Sequence, residues 1–341
     1  MLFNAPFLAL LSLASATPLS VFSRALDNLD TRAISATQTD LDNFRFWIQY
    51  TSAAYCNSNN APGTPITCAA SACKAVEANR AVTVASIEAP RSGLGAVVAV
   101  DHARRAIVLS IRGSANVRNW ITNLQFTFSS CSDLAKNCKV HNGFGDAWAE
   151  IRTTVLDAIR TTRAANPTYS IVTTGHSLGG AVATIAAAYI RKVENTPVDI
   201  YSFGSPRAGN DYFANFVTAQ AGAEFRLTHG ADPVPRLPPI LFGYRHTSPE
   251  YWLNGGSATT TDYALNNLKV CEGIVNIGCN GGTLGLDIPA HGYYLADVSA
   301  CKPEDSPTNE ARQADISDAE LEKKLNAWVH QDVAWVQEHT A

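Results

Sequence analysis

Between residues 40 and 55, Leu41, Phe44, Trp47, Ile48 and Ala54 recur at helical spacing, so a helix is expected to open the folded body. Asn57 to Pro65 is rich in turn formers and reads as a loop. The apolar period then shortens. Val82–Ile87, Gly95–Val100 and Ala106–Arg112 read as strands. The last is nearly continuous apolar, as a strand covered on both faces must be. Phe144–Ala164 reads as a helix that stops before Pro167. Strand Ser170–Thr174, Ala-rich helix Leu178–Val193, strand Val198–Phe203, helix Asp211–Ala219 and strand Phe225–Thr228 follow. This alternation predicts an α/β domain, with a mostly parallel central sheet and helices on both faces.

The two ends of the chain break this pattern. Residues 2–16 are apolar and small and close on Ala14-Ser15-Ala16, the small-x-small pattern of an export signal. No base precedes the apolar stretch; the first is Arg24. Residues 17–35 are polar without strong periodicity and are expected to form a pro-segment. The domain itself is expected over 36–301, with 302–341 as an acidic extension. In that extension Ser317-x-x-Glu320 is a capping box. It opens a helix whose Leu321, Leu325, Trp328, Val329, Trp335 and Val336 share one face, interrupted by Asp332. Two roles stay open for it: a helix docked on the core, or a movable segment over an apolar rim or a lipid surface.

Composition narrows the class. The chain has 341 residues, 46% apolar and 16% charged. The charged share is below the roughly 25% of an average soluble protein, which excludes a charged disordered chain. The net charge is -4, but residues 302–341 carry nine acids and four bases, so the rest is near +1. The acidity belongs to the extension, which is expected to be a separate unit. Neither part offers the basic surface that nucleic acid requires. Beyond the N-terminus no apolar run approaches the roughly 18 residues of a membrane span. The even set of eight cysteines implies disulfides in an exported, extracellular chain. Loop spacing favours Cys68–Cys73, Cys131–Cys138 and Cys271–Cys279, leaving Cys56–Cys301 to tie the ends of the domain. With no C-x-x-C pair and no paired histidines, no metal site is expected.

The candidate chemistry centres on Gly175-His176-Ser177-Leu178-Gly179, which fits G-x-S-x-G between a strand and a helix. That context can hold a serine in a strained turn at the positive end of a helix. An ordinary N-cap serine is the bland alternative; Ser177 is the expected nucleophile, and His176 is expected to be structural. The base must lie downstream, among His229, His246, His291, His330 and His339. His291 lies in a late loop that can reach the elbow. For the acid, Asp232 follows a strand at the ligand-presenting edge of the sheet; Asp287 is the runner-up. His291 would take the proton of Ser177 as it attacks an ester, with Asp232 fixing the imidazole. No cofactor is needed. An oxyanion would be met by the backbone N–H groups of Leu178 and of Ser114, which ends the Ile111-Arg112-Gly113-Ser114 strand. Val117, Trp120, Ile121 and Leu124 then share one helical face, expected to be the underside of a movable lid.

Taken together, these stretches resemble a known family. Arg112-Gly113-Ser114, the Trp120 segment, Gly175-His-Ser177-Leu-Gly-Gly180, Tyr201-Ser-Phe-Gly-Ser-Pro206-Arg-Ala-Gly-Asn210, Asp232-Pro-Val-Pro-Arg-Leu-Pro-Pro239 and Asp287-Ile-Pro-Ala-His291 are similar to the class 3 triacylglycerol lipases secreted by filamentous fungi. The likeness runs in order over roughly 36–301. It implies an α/β-hydrolase fold, a Ser177/Asp232/His291 triad, an oxyanion hole at Ser114 and Leu178, and a hinged lid near 115–124. It also implies the bridges Cys56–Cys301, Cys68–Cys73 and Cys131–Cys138; Cys271–Cys279 is similar to one in related feruloyl esterases. The expected activity is that of a secreted triacylglycerol lipase: lid-gated hydrolysis of long-chain acyl glycerols by a monomer that meets lipid only peripherally, at an oil–water interface. A feruloyl or short-chain esterase, a phospholipase, or a silent lipid-binding module are the alternatives. The 302–341 extension is not covered by the resemblance.

Overall fold

A computed structural model describes residues 34–114, 116–298, 301 and 316–340. The expected signal, and all of the pro-segment but Ile34 and Ser35, lie outside these residues. The body belongs to one compact unit, Ser35–Ala341.

Helix α1 (Gln38–Asn57) starts at Thr37, whose hydroxyl accepts from the Asp40 amide while the Asp40 carboxylate accepts from the Thr37 amide. This reciprocal box satisfies N–H groups that a helix start leaves open. After the short α2 (Lys74–Ala78) come β1 (Val82–Glu88), β2 (Gly95–Asp101) and β3 (Ala106–Ile111). The chain continues through α3 (Val117–Asn123), a hairpin of β4 (Phe128–Ser130) and β5 (Lys139–His141), and α4 (Asn142–Ala165). Strand β6 (Ser170–His176), α5 (Leu178–Glu194), β7 (Val198–Phe203), α6 (Asp211–Ala219) and β8 (Glu224–His229) complete the alternating part. Strands β9 (Glu250–Leu253) and β10 (Leu268–Cys271), the one-turn α7 (Ile288–His291) and α8 (Asp318–His339) close the described chain.

The main sheet runs β1-β2-β3-β6-β7-β8-β9-β10. Its centre, from β3 to β9, is parallel; β1, β2 and β10 pair antiparallel at the edges. Alternation along each strand builds two cores. Ile107, Leu109 and Ile111 of β3 meet α4 and α5 on one face. Val108 turns to the other face, where Phe44, Trp47 and Ile48 of α1 pack. Helices therefore cover both faces, as an α/β-hydrolase sheet requires.

Strand β9 escapes the apolar pattern. Strand β9 begins with Glu250, 2% exposed, whose carboxylate accepts from Arg226 (3.1 Å), Thr228 (2.6 Å) and the Asn280 amide (3.2 Å). A buried ion pair breaks the alternation that reveals a strand. Cys56–Cys301, Cys68–Cys73, Cys131–Cys138 and Cys271–Cys279 are bonded. No helix among the described residues is long and apolar enough to cross a membrane.

The extension departs from the sequence reading in one respect. Helix α8 is no unit of its own; it docks on the domain, burying Leu321, Leu325, Val329 and Val336. Asp332, which interrupts that stripe, is buried with it. Its carboxylate accepts from the Ile240 (2.9 Å) and Leu241 (3.0 Å) amides and faces the Arg207 guanidinium at 3.3 Å. Burial pushes the Arg207 guanidinium down to about 10, against the pull of Asp332.

Candidate active site

The carboxyl ends of β3, β6, β7 and β8 converge on one place, the edge where open α/β sheets present ligands. Ser177 stands in the sharp turn between β6 and α5, with φ 59° and ψ -135°. A non-glycine residue held there stores about 1–3 kcal/mol. Close packing holds it. A Cβ on Gly175 would fall 2.3 Å from the Gly179 carbonyl oxygen, and one on Gly179 only 2.1 Å from that of Ile111. Side chains at either position would drive β3, β6 and α5 apart.

His291 closes α7 and is 1% exposed. Its Nδ1 lies 2.8 Å from Asp232 Oδ2. A carboxylate only accepts, so Nδ1 carries the proton of this contact, and in the neutral ring Nε2 is the acceptor. Asp232 is fully buried and held from several sides. Tyr294 donates its hydroxyl to Oδ2, the Val234 amide donates to Oδ1 at 2.9 Å, and Asn280 Nδ2 donates to the Asp232 carbonyl at 3.0 Å. Burial, with the adjoining carboxylate, pushes the Tyr294 phenol well above its ordinary value, so it stays a donor. Ser177 Oγ and His291 Nε2 are among eleven buried side-chain polar atoms of the described residues that have no hydrogen-bond partner. Such orphans are uncommon in a folded protein and call for an explanation. These two are also the atoms that the sequence reading expects to exchange a proton.

Sequence comparisons match residues 108–242 to the family described as Lipase (class 3), and residues 7–83 to its Lipase 3 N-terminal region. A secreted mono- and diacylglycerol lipase 1 of Fusarium solani is 51% identical over 98% of this chain and 98% of its own length. The chain belongs to the class 3 lipases. It is also 37% identical to secreted mono- and diacylglycerol lipase A of Penicillium camembertii, over 80% of this chain and 90% of that one. The crystal structure of a mono- and diacylglycerol lipase from Aspergillus oryzae superposes with a TM-score of 0.72 at 36% identity, covering 78% of this chain and all of the other. The protein is thus a carboxylic ester hydrolase of the acylglycerol lipase family.

In this lipase two of the remaining candidate histidines, His229 and His246, are otherwise engaged. His229 uses both ring nitrogens, on the Ala290 carbonyl (2.9 Å) and the Tyr263 hydroxyl (2.7 Å). His246 faces the Pro235 carbonyl, and burial holds it well below the ordinary histidine range. His330 and His339 lie on α8. Asp287 caps α7, accepting from the Ala290 amide at 3.2 Å, and does not meet the His291 ring.

His176 has a further connection that the sequence does not reveal. Its Nε2 donates to the His291 carbonyl at 2.7 Å, and its Nδ1 faces the Tyr55 hydroxyl at 3.3 Å. Tyr55 in turn accepts from the Gly113 amide at 2.9 Å. A Cβ on Gly113 would fall 2.8 Å from Ser177 Cβ, so the loop carrying Ser114 runs beside the elbow. Leu178 N–H lies directly after the elbow, at the start of α5. One bonded chain thus ties this loop to the His291 backbone.

Gly204 gives a test of how tightly the group is packed. Its φ is +58°, and an added Cβ would fall 3.1 Å from both Asp232 Oδ2 and His291 Cε1 and 2.9 Å from the Tyr294 hydroxyl. Gly204→Ala is expected to cut kcat about a hundredfold through a shift of about an ångström, with the protein still folded. A variant with wild-type kcat on emulsified acylglycerol would contradict this packing.

The expected lid segment forms α3, capped by Asn116 accepting from the Asn119 amide. Val117 and Ile121 are buried, against Val234 and Leu237 from the loop after Asp232 and against Leu321 and Leu325 of α8. Trp120 and Leu124 are half-buried beside them, with the Trp120 ring stacked on Phe144 at 6.4 Å.

Proposed function

We propose that the protein hydrolyses acylglycerols by a Ser-His-Asp acyl-enzyme route, with Ser177 as nucleophile, His291 as general base and acid, and Asp232 as the group that orients and balances the imidazole. The observation that carries this reading is the 2.8 Å His291–Asp232 contact beside a strained, buried Ser177. His291 Nε2 takes the Ser177 proton as Oγ attacks the ester carbonyl. The carbonyl oxygen, now negative, is met by the N–H groups of Leu178 and Ser114. Collapse releases the alcohol, protonated by His291. Water activated by the same imidazole then frees the fatty acid and restores Ser177.

We read residues 1–16 as an export signal and 17–35 as a pro-segment; the word "secreted" in the names of the two relatives supports release from the cell. Their names also specify mono- and diacylglycerols, and we take these partial glycerides, ahead of triacylglycerols, as the preferred substrates. The apolar underside of α3 supports a lid that opens at an oil–water surface, and we take the protein to act there as a monomer. The test is a set of initial rates on emulsified mono-, di- and triacylglycerol of one acyl chain, and on dissolved short esters. Partial glycerides should be cleaved at least about tenfold faster than triacylglycerol, a difference of about 1.4 kcal/mol in barrier. Equal rates would remove the preference. Cleavage of dissolved esters alone would remove the interfacial reading.

A further inference from the structure

The apolar cluster beneath the lid holds three elements that lie far apart in sequence. Val117 and Ile121 come from α3, Val234 and Leu237 from the loop after Asp232, and Leu321 and Leu325 from α8. The extension therefore packs on the same face that the lid must leave.

Polar contacts join α8 to the lid directly. Arg118 Nε lies 2.6 Å from Asp318 Oδ1, and Arg118 Nη2 donates to the Ile316 carbonyl at 2.8 Å. Farther along, Asn326 Oδ1 accepts from the Gly285 amide at 2.8 Å. Trp328 meets Phe126 edge-on at 5.2 Å, and Phe126 in turn meets Phe242. Leu241, whose amide bonds Asp332, and Phe242, which meets Phe126, are exposed beside this contact. The two halves of α8 are held differently. The first half rests on apolar contact, on single hydrogen bonds at Ile316 and Asn326, and on an ion pair whose Asp318 side is 71% exposed. The second half is pinned by the buried Asp332, with its two backbone amides and Arg207.

We propose that α8 is a latch on the lid: its first half holds α3 shut in water and peels away at a lipid surface, while the Asp332 end stays as the anchor. The proposal rests on the lid reading above and adds a second element that must move. The physical reason is the change of solvent. In water, separating α8 from α3 exposes apolar surface on both, so the closed state holds. Lipid tails are as apolar as leucine and can replace each contact one for one. The ion pair between Arg118 and Asp318 is exposed and weak, so it adds direction rather than strength. Asp332 has no such substitute in lipid, because a buried carboxylate parted from its donors is strongly disfavoured.

The experiment uses the full chain. Asp318→Ala and Leu325→Glu, alone and together, are assayed on dissolved 4-nitrophenyl butyrate and on an emulsified diacylglycerol. The double variant should turn over the dissolved ester at least fivefold faster than wild type, and the ratio of emulsion to dissolved rate should fall by a similar factor. Leu325→Met should behave as wild type. An unchanged ratio in a folded double variant overturns the latch. Hydrogen exchange on the wild-type protein gives a reading independent of whether the variants fold. Adding phosphatidylcholine vesicles that contain diacylglycerol should speed exchange in 316–328 together with 117–123, and leave 329–339 protected. No change in either segment overturns the proposal, and so does loss of protection along the whole helix. A wild-type protein without activity on any acylglycerol would instead refute the function proposed above, which keeps the two failures distinct.

Discussion

Ser177→Ala is expected to lower kcat on emulsified acylglycerol about a million-fold, with little change in substrate binding. The size follows from the roles the geometry supports. Without Oγ there is no acyl-enzyme, and only the N–H groups at Leu178 and Ser114 remain to favour attack by water. The same change should not unfold the protein. Ser177 Oγ is buried without a partner, and a lone buried hydroxyl costs about 1–3 kcal/mol. Its removal should leave the unfolding midpoint equal or slightly higher. His291→Ala should cost a similar factor, and the double variant hardly more, because the two side chains act as one unit. Titration of released fatty acid measures all three. A Ser177→Ala protein within a hundredfold of wild type would end the assignment of the nucleophile.

Glu250→Ala should be the most damaging change outside that group. It leaves the Arg226 guanidinium, 3% exposed, without its partner. Breaking a buried pair in this way costs about 3–5 kcal/mol. It also frees Thr228 and the Asn280 amide. Asn280 is the residue whose side chain holds the Asp232 carbonyl, so activity should fall along with stability. Urea unfolding is the direct measure, with a loss below about 1 kcal/mol standing against this account. Glu250→Gln keeps the shape and part of the hydrogen bonding, and should cost less than the alanine.

The alternating pattern made the centre of this fold legible. Strands such as Ala106–Ile111 are covered on both faces and so read as unbroken apolar runs. Strand β9 was not legible, because Glu250 is buried for its pairing rather than for its apolarity. The hairpin Phe128–Ser130 with Lys139–His141 is too short to establish a period. For the candidate site, Ser177, Asp232 and His291 could be named from the sequence because the elbow motif suggests the order of the three, and the structure brings His291 and Asp232 into contact. Tyr294 was not legible, although it lies three residues past His291: a tyrosine in a late loop has many ordinary uses. Tyr55 and His176 were hidden for a related reason. Their hydrogen bonds run to backbone groups of Gly113 and His291, and backbone partners leave no mark in a sequence. The apolar face of α8 could be read from spacing. What it covers could not, since Leu321 and Val117 are far apart in sequence and meet only through the fold.

The order of these parts along the chain has a consequence for how the protein is made. Cys56 and Cys301 are separated by 245 positions, so their bridge cannot close until almost the whole domain has left the ribosome. Tyr55 stands beside one end of that bridge, and His291 lies ten positions before the other. A growing chain therefore carries its serine elbow long before it has the histidine proposed as its base. On the mechanism proposed above, the chain is therefore expected to be inert as an esterase until the last loop is in place.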